Sequence, residues 1–129
     1  HTGVVHDVAL RPASEGLPMV ASAAGDRTIR FWQPTIGRMV RYIRLDAEPL
    51  SIEWLNSDTL VAGCVDGRLR VIDANNVTVT GSHLAADGWA YTVAVHPSDG
   101  SVVAGGTGGR LRRLDRSVLT QKSESPKSR

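Results

Sequence analysis

The sequence has little of what usually announces chemistry. A single cysteine, Cys64, is present, which excludes an internal disulfide and a zinc site of the usual Cys-rich kind. It sits in the apolar run from Leu60 to Val65, where a small buried hydrophobe is expected rather than a reactive thiol. No apolar run approaches the roughly 18 residues a membrane helix needs, so no membrane partner is expected. No basic-then-apolar opening reads as a signal peptide. The compartment stays open, with the cytoplasm favoured over secretion. An excess of charge of one sign is also missing. The net charge is +2, too mild a balance to point to nucleic acid. Neither a Gly-x-Ser-x-Gly elbow nor a Cys–His pairing is found. The histidines His1, His6, His83 and His96 share no spacing that sets two on one strand face beside a carboxylate. No metal and no cofactor is expected, and no enzymatic site.

What is present is punctuation. Gly 13 and Pro 6 are spread along the chain, and apolar residues make up 41%, enough for a core. Between the turn residues lie short runs rich in Val, Ile, Leu and Thr, the pattern of many short strands. Val4 to Leu10, Met19 to Ser22, Thr28 to Trp32 and Met39 to Leu45 read as strands a, b, c and d of one meander. Leu50 to Leu55, Thr59 to Val65, Arg68 to Ile72, and Val77 to Thr80 as strand d or its core, repeat the plan. Trp89 to Val95, Ser101 to Gly105 and Arg110 to Leu114 give a third a, b and c.

The repeat has a measurable period. The segment from Asp26 to Trp32 aligns with Asp66 to Ile72 at an offset of 40 (66 − 26), and that with Gly108 to Leu114 at 42 (108 − 66). A four-strand unit of about 40–45 residues is the period of a propeller blade. On these residues, the first unit resembles a WD40 repeat. His1 matches the His of that family's Gly-His dipeptide, Ser22 its strand-b Ser, Asp26 its turn Asp and Trp32 its strand-c Trp. The resemblance implies a structural tetrad in which Asp26, His1, Ser22 and Trp32 form one hydrogen-bonded chain, a network worth burying only when every member is satisfied. The other units depart from the signature. The second keeps Asp66 but has Ile72 for Trp; the third has Gly108 and Leu114 at those places, and His83 is out of register.

The expected fold is therefore all-β, a partial β-propeller of three four-stranded antiparallel blades, the last lacking its own strand d. Residues 1–45 are blade 1, 46–88 blade 2, 89–115 blade 3 (strands a to c), and 116–129 a disordered polar tail. Three blades cannot close a ring, and in WD40 proteins the last blade often borrows its strand d. The chain is thus expected to be the C-terminal part of a longer propeller; the rival is self-association to complete a ring. The resemblance implies a non-catalytic scaffold for protein or peptide partners. An accessory propeller domain of a larger multi-domain enzyme or regulatory protein is the alternative.

Candidate sites are few. In the family, d-to-a and b-to-c loops share one rim, and here they carry Asp46, Glu48, Asp66, Asp87 and Trp89, acids beside an aromatic that would suit a basic peptide. Arg30, Arg70 and Arg112 recur at one position of strand c. A solvated strand face is expected there, in preference to a basic stripe for acidic partners. Gly105 to Arg110 has the glycines of a phosphate loop but neither its Lys-Ser/Thr ending nor a following helix, so a tight turn is expected.

Overall fold

A computed structural model describes residues 2–11, 19–33, 37–96 and 98–119. Among them, β1 (Val5–Leu10), β2 (Val20–Ala24), β3 (Thr28–Gln33) and β4 (Arg38–Arg44) form one antiparallel sheet. A second consists of β5 (Pro49–Trp54), β6 (Thr59–Cys64), β7 (Arg68–Asp73) and β8 (Thr78–Leu84). The third has three strands, β9 (Ala90–Val95), β10 (Val102–Gly106) and β11 (Leu111–Leu114), followed by a short helix α1 (Arg116–Leu119). Each sheet is a meander of sequential neighbours, the pairing that short connections favour. The all-β blade architecture expected from the sequence is the one observed, with three strands in blade 3 among the described residues.

Two details differ. Strand d of the second unit runs on to Leu84, opposite Arg68, and starts only at Thr78, because Val77 sits at φ 49 in the preceding turn, outside extended backbone. The polar tail does not begin at residue 116. Arg116–Leu119 form a helical turn in which the Val118 and Leu119 N–H groups donate to the Asp115 carbonyl. Leu119 is buried in the same cluster as Val102 and Leu114, and that apolar contact holds the turn against the blade. The rest of the expected tail, 120–129, lies outside the described residues.

The blades pack face to face through their inner strands: β1 and β2 against β5, and β5 and β6 against β9. Ala9, Ala21, Ile29 and Phe31 of blade 1 meet Ile52, Trp54, Leu60, Ala62 and Ile72 of blade 2, with the Phe31 and Trp54 rings 5.9 Å apart and tilted by 59°. On the other face of blade 2, Val61, Leu69 and Val71 meet Val93, Val102 and Ala104 of blade 3. Blade 2 is thus covered on both faces, which is why β6 reads as a continuous apolar run rather than an alternation.

The small residues of strand b set the spacing. A Cβ on Gly63 would lie 3.0 Å from the Ala90 carbonyl oxygen and 3.1 Å from Val93 Cγ1, so only the bare glycine backbone lets β9 approach this closely. Polar links repeat beside it. Asp7 Oδ2 accepts the Ile52 N–H at 2.9 Å, and Ser51 Oγ, at the matching register position of blade 2, accepts the Val93 N–H at 3.2 Å. Those positions follow register shifts at Val5/Asp7 and Pro49/Ser51, bulges that turn a strand-a acceptor toward the neighbouring blade.

Gly63→Val therefore overpacks the blade 2–blade 3 contact. The expected loss is about 1–3 kcal/mol of stability, read as a lower urea midpoint with an unchanged m-value.

Candidate functional site

One end of the blades is a rim built by backbone hydrogen bonds. The Gly25 N–H donates to Val4 O at 2.8 Å, Leu45 N–H to Arg27 O at 2.8 Å and Val65 N–H to Glu48 O at 3.0 Å. The Ala85 and Ala86 N–H groups both reach Gly67 O, at 2.8 and 2.9 Å, and Thr107 N–H reaches Trp89 O at 3.0 Å. The first two b-to-c turns are thereby tied to the loops entering their own blade and leaving it, and the third to the loop entering its blade. Loops fixed in this way present their side chains on a rigid frame.

The three turns share one geometry. Arg27, Gly67 and Gly109 occupy the left-handed region at φ 66, 80 and 75, and their N–H groups donate to Ala24, Cys64 and Gly106 at 3.0–3.1 Å. The expected tight turn at Gly105 to Arg110 is the last of these. At Gly67 a Cβ would collide with the carbonyl oxygens of Ala86 and Gly88, so the loop from β8 closes only on glycine. The residue before each left-handed position differs: Asp26, Asp66 and Gly108. Asp26 Oδ1 accepts the Thr28 N–H at 3.0 Å and its hydroxyl at 2.6 Å. Asp66 Oδ1 accepts the Arg68 N–H at 3.1 Å. Both are Asx-type turns.

Of the expected tetrad, Trp32 Nε1 donates to Ser22 Oγ at 2.8 Å, and Asp26 Oδ2 receives the Thr2 N–H at 2.9 Å. His1 lies outside the described residues, so the links through it remain a proposal. Burial raises the Asp26 carboxyl, but the Thr28 hydroxyl, the Thr2 and Thr28 N–H groups and Arg30 together hold it down at about 2.

The strand-c arginines do not form the solvated face the sequence suggested. Arg70 is buried, at 7% exposure, and both of its terminal nitrogens donate to the Asp66 carboxylate, at 3.0 and 2.7 Å. A buried guanidinium needs such a fork to offset its lost hydration. Burial raises the Asp66 carboxyl; the Arg70 and Arg68 donors outweigh it and leave the group below the usual carboxylate range. Burial pushes the nearby Cys64 thiol up to about 11, in keeping with an inert core residue. Arg30 is half-buried, 3.9 Å from Asp26 and 5.6 Å from the centre of the Tyr42 ring. Arg112 is exposed.

The expected rim residues separate into two sets. Asp66 is committed to Arg70. Glu48 Oε2 lies 2.5 Å from His6 Nε2, a partner from 42 residues away that no spacing signal marks. Asp46, Asp87 and Trp89 face solvent. Trp89 is 47% exposed, not packed between blades; its ring leans on Tyr91 at 5.4 Å and 54°, while its N–H donates to Thr107 Oγ1 at 2.9 Å. Tyr91 was missed because strand alternation alone does not say that it turns toward the rim aromatic. Among the described residues, no three His, Cys, Asp or Glu side chains gather as a metal site would.

Residues 1–33 match the family model described as WD40: WD domain, G-beta repeat. No curated protein matches the sequence.

Asp66→Ala strands Arg70 without its acid. Because the Asp66 side chain is 36% exposed, the expected loss is about 2 kcal/mol rather than the 3–5 of a fully buried pair, measured by urea titration. Asp26 and Asp66 are both depressed in the folded state. Their stabilisation is complete above the ordinary carboxylate range and is lost as pH falls below it, for Asp26 down to about 2. Melting temperature should drop across that window, and less steeply in Asp66→Ala.

Proposed function

We propose that this chain, with a WD40 repeat at residues 1–33 and two further blades behind it, is a non-catalytic platform for protein or peptide partners and the C-terminal part of a larger propeller. WD40 repeats are generally protein-interaction scaffolds. The observation that carries the reading is the rim, where a continuous run of backbone hydrogen bonds holds Asp46, Asp87 and the Trp89–Tyr91 pair in the open. A basic peptide fits that chemistry. Its cations pair with the acids, and the aromatic pair offers a face for a guanidinium or ammonium group. Asp66 is left out of this surface because Arg70 occupies it.

The two outer faces support the larger propeller. Val8 and Leu10 of blade 1 are 60% and 67% exposed, and Val103 and Leu111 of blade 3 are 37% and 78%. Apolar faces of this kind are usually covered. Thr92 pairs with Gly105 as Ser51 pairs with Gly63 and Asp7 with Ala23. Its hydroxyl therefore stands on the open face of blade 3 where Asp7 and Ser51 hold the next blade's N–H. The three-stranded sheet is the one a strand from elsewhere in the ring would complete.

Light scattering after size exclusion tests the faces. Association of the purified chain is expected, a defined dimer meaning that two copies finish one ring and polydispersity that other blades are needed. A stable, well-behaved monomer would count against both. For the rim, a fluorescein-labelled Arg/Lys-rich peptide should bind in a salt-sensitive way, with affinity lowered about tenfold in Trp89→Ala. Equal binding to that variant would refute the rim site.

A further inference from the structure

The cleft between blades 2 and 3, beside the rim, repeats the geometry of the Asp66–Arg70 site with its acid removed. It has a volume of ≈ 400 Å³ and is lined by Leu84 and Asp87 on one side and by Gly108, Arg110, Leu111 and Arg112 on the other. Arg112 pairs with Ala104 as Arg70 pairs with Ala62, so both guanidinium groups point toward the preceding blade from the same strand position. Between blades 1 and 2 the guanidinium is neutralised from within, four residues back in the chain, by Asp66. Between blades 2 and 3 the residue four back is Gly108. The Arg110 N–H likewise lacks the carboxylate that the Thr28 and Arg68 N–H groups have in their turns. Among the described residues, Arg110 and Arg112 have no ion pair; Asp87 supplies one negative charge to a cleft with two positive ones.

We propose that this cleft takes an acidic side chain, Asp or Glu, from a partner protein docked at the rim. The incoming carboxylate receives the forked donors of Arg112 and the Arg110 N–H, the same two kinds of donor that Asp66 receives from Arg70 and Arg68. Bidentate pairing gives the site a preference for a planar carboxylate over a neutral amide of the same shape. Leu84, 42% exposed, gives the stem of the acidic side chain an apolar surface to rest on. The site thereby adds an acidic residue to the partner chemistry, beyond the basic residues suited to Asp46 and Asp87, and does not depend on whether the latter bind.

Gly108→Asp provides the decisive variant. Gly108 is not in the left-handed region, and a Cβ on it meets nothing within 4 Å, so the aspartate enters without strain and pairs with Arg112 as Asp66 does with Arg70. The probe is a fluorescein-labelled octapeptide with one glutamate among glycine, threonine and valine, compared with its glutamine twin on the full chain. The expected results are at least about tenfold tighter binding of the glutamate form, a downfield shift of the Arg110 amide proton on titration, and loss of both in Arg112→Gln and in Gly108→Asp. Gly108→Asp should also melt higher than wild type, which shows that the variant is folded, and Trp89→Ala should leave the glutamate preference intact. Equal binding of the two peptides, no binding of either, or full preference retained in Gly108→Asp would overturn the proposal. So would inorganic phosphate competing as well as the glutamate peptide, since that would mean a simple anion site.

Discussion

Everything in this molecule depends on how closely one blade can approach the next. A four-stranded antiparallel meander has two faces and too little apolar surface to fold alone, so each blade is stable only when a neighbour covers it. The distance is set by strand b, where Ala21, Ala23, Ala62, Gly63, Ala104 and Gly105 stand in place of larger side chains. With the strand backbones that near, strand-a groups such as Asp7 and Ser51 reach the next blade's N–H donors. Packing and hydrogen bonding between blades thus follow from the same absence of side-chain bulk.

The rim is a consequence of that stacking. Once the blades are held face to face, the loop leaving one blade runs past the b-to-c turn of the next, and the carbonyls of Glu48 and Trp89 find donors there in Val65 and Thr107. The turn itself needs a left-handed residue, which Gly67 and Gly109 supply freely and Arg27 at some cost. The position just before it is where the blades diverge chemically. An aspartate there serves the turn and neutralises the strand-c arginine; a glycine serves only the turn, and the arginine of that blade faces solvent.

Electrostatics along the chain is therefore local, repeated and unequal. Blade 2 has a closed pair, with Arg70 buried and both of its terminal nitrogens on Asp66. Blade 1 has a looser one, its Arg30 shared between Asp26 at 3.9 Å and the Tyr42 ring. In blade 3, Arg112 has no ion pair or ring contact among the described residues. The net charge of +2 hides this gradation, since nearly balanced totals say nothing about which charges are already spent on one another.

The strand plan was legible in the sequence because it rests on local chemistry: turn residues, β-branched runs and a recurring offset, none of which needs the chain to fold before it can be seen. The boundary errors at Val77 and Arg116 arose where a backbone angle and a buried contact of Leu119, rather than residue type, decided the outcome. The alignment of Asp26, Asp66 and Gly108 was also visible. What was not visible is that Arg70 is buried beneath Asp66 while Arg112 is bare, because alternation along strand c assigns a face and not what covers it. The His6–Glu48 contact and the exposure of Trp89 beside Tyr91 are of the same kind. They join residues from different turns and strands, and the distances between such groups are fixed only once the blades have stacked.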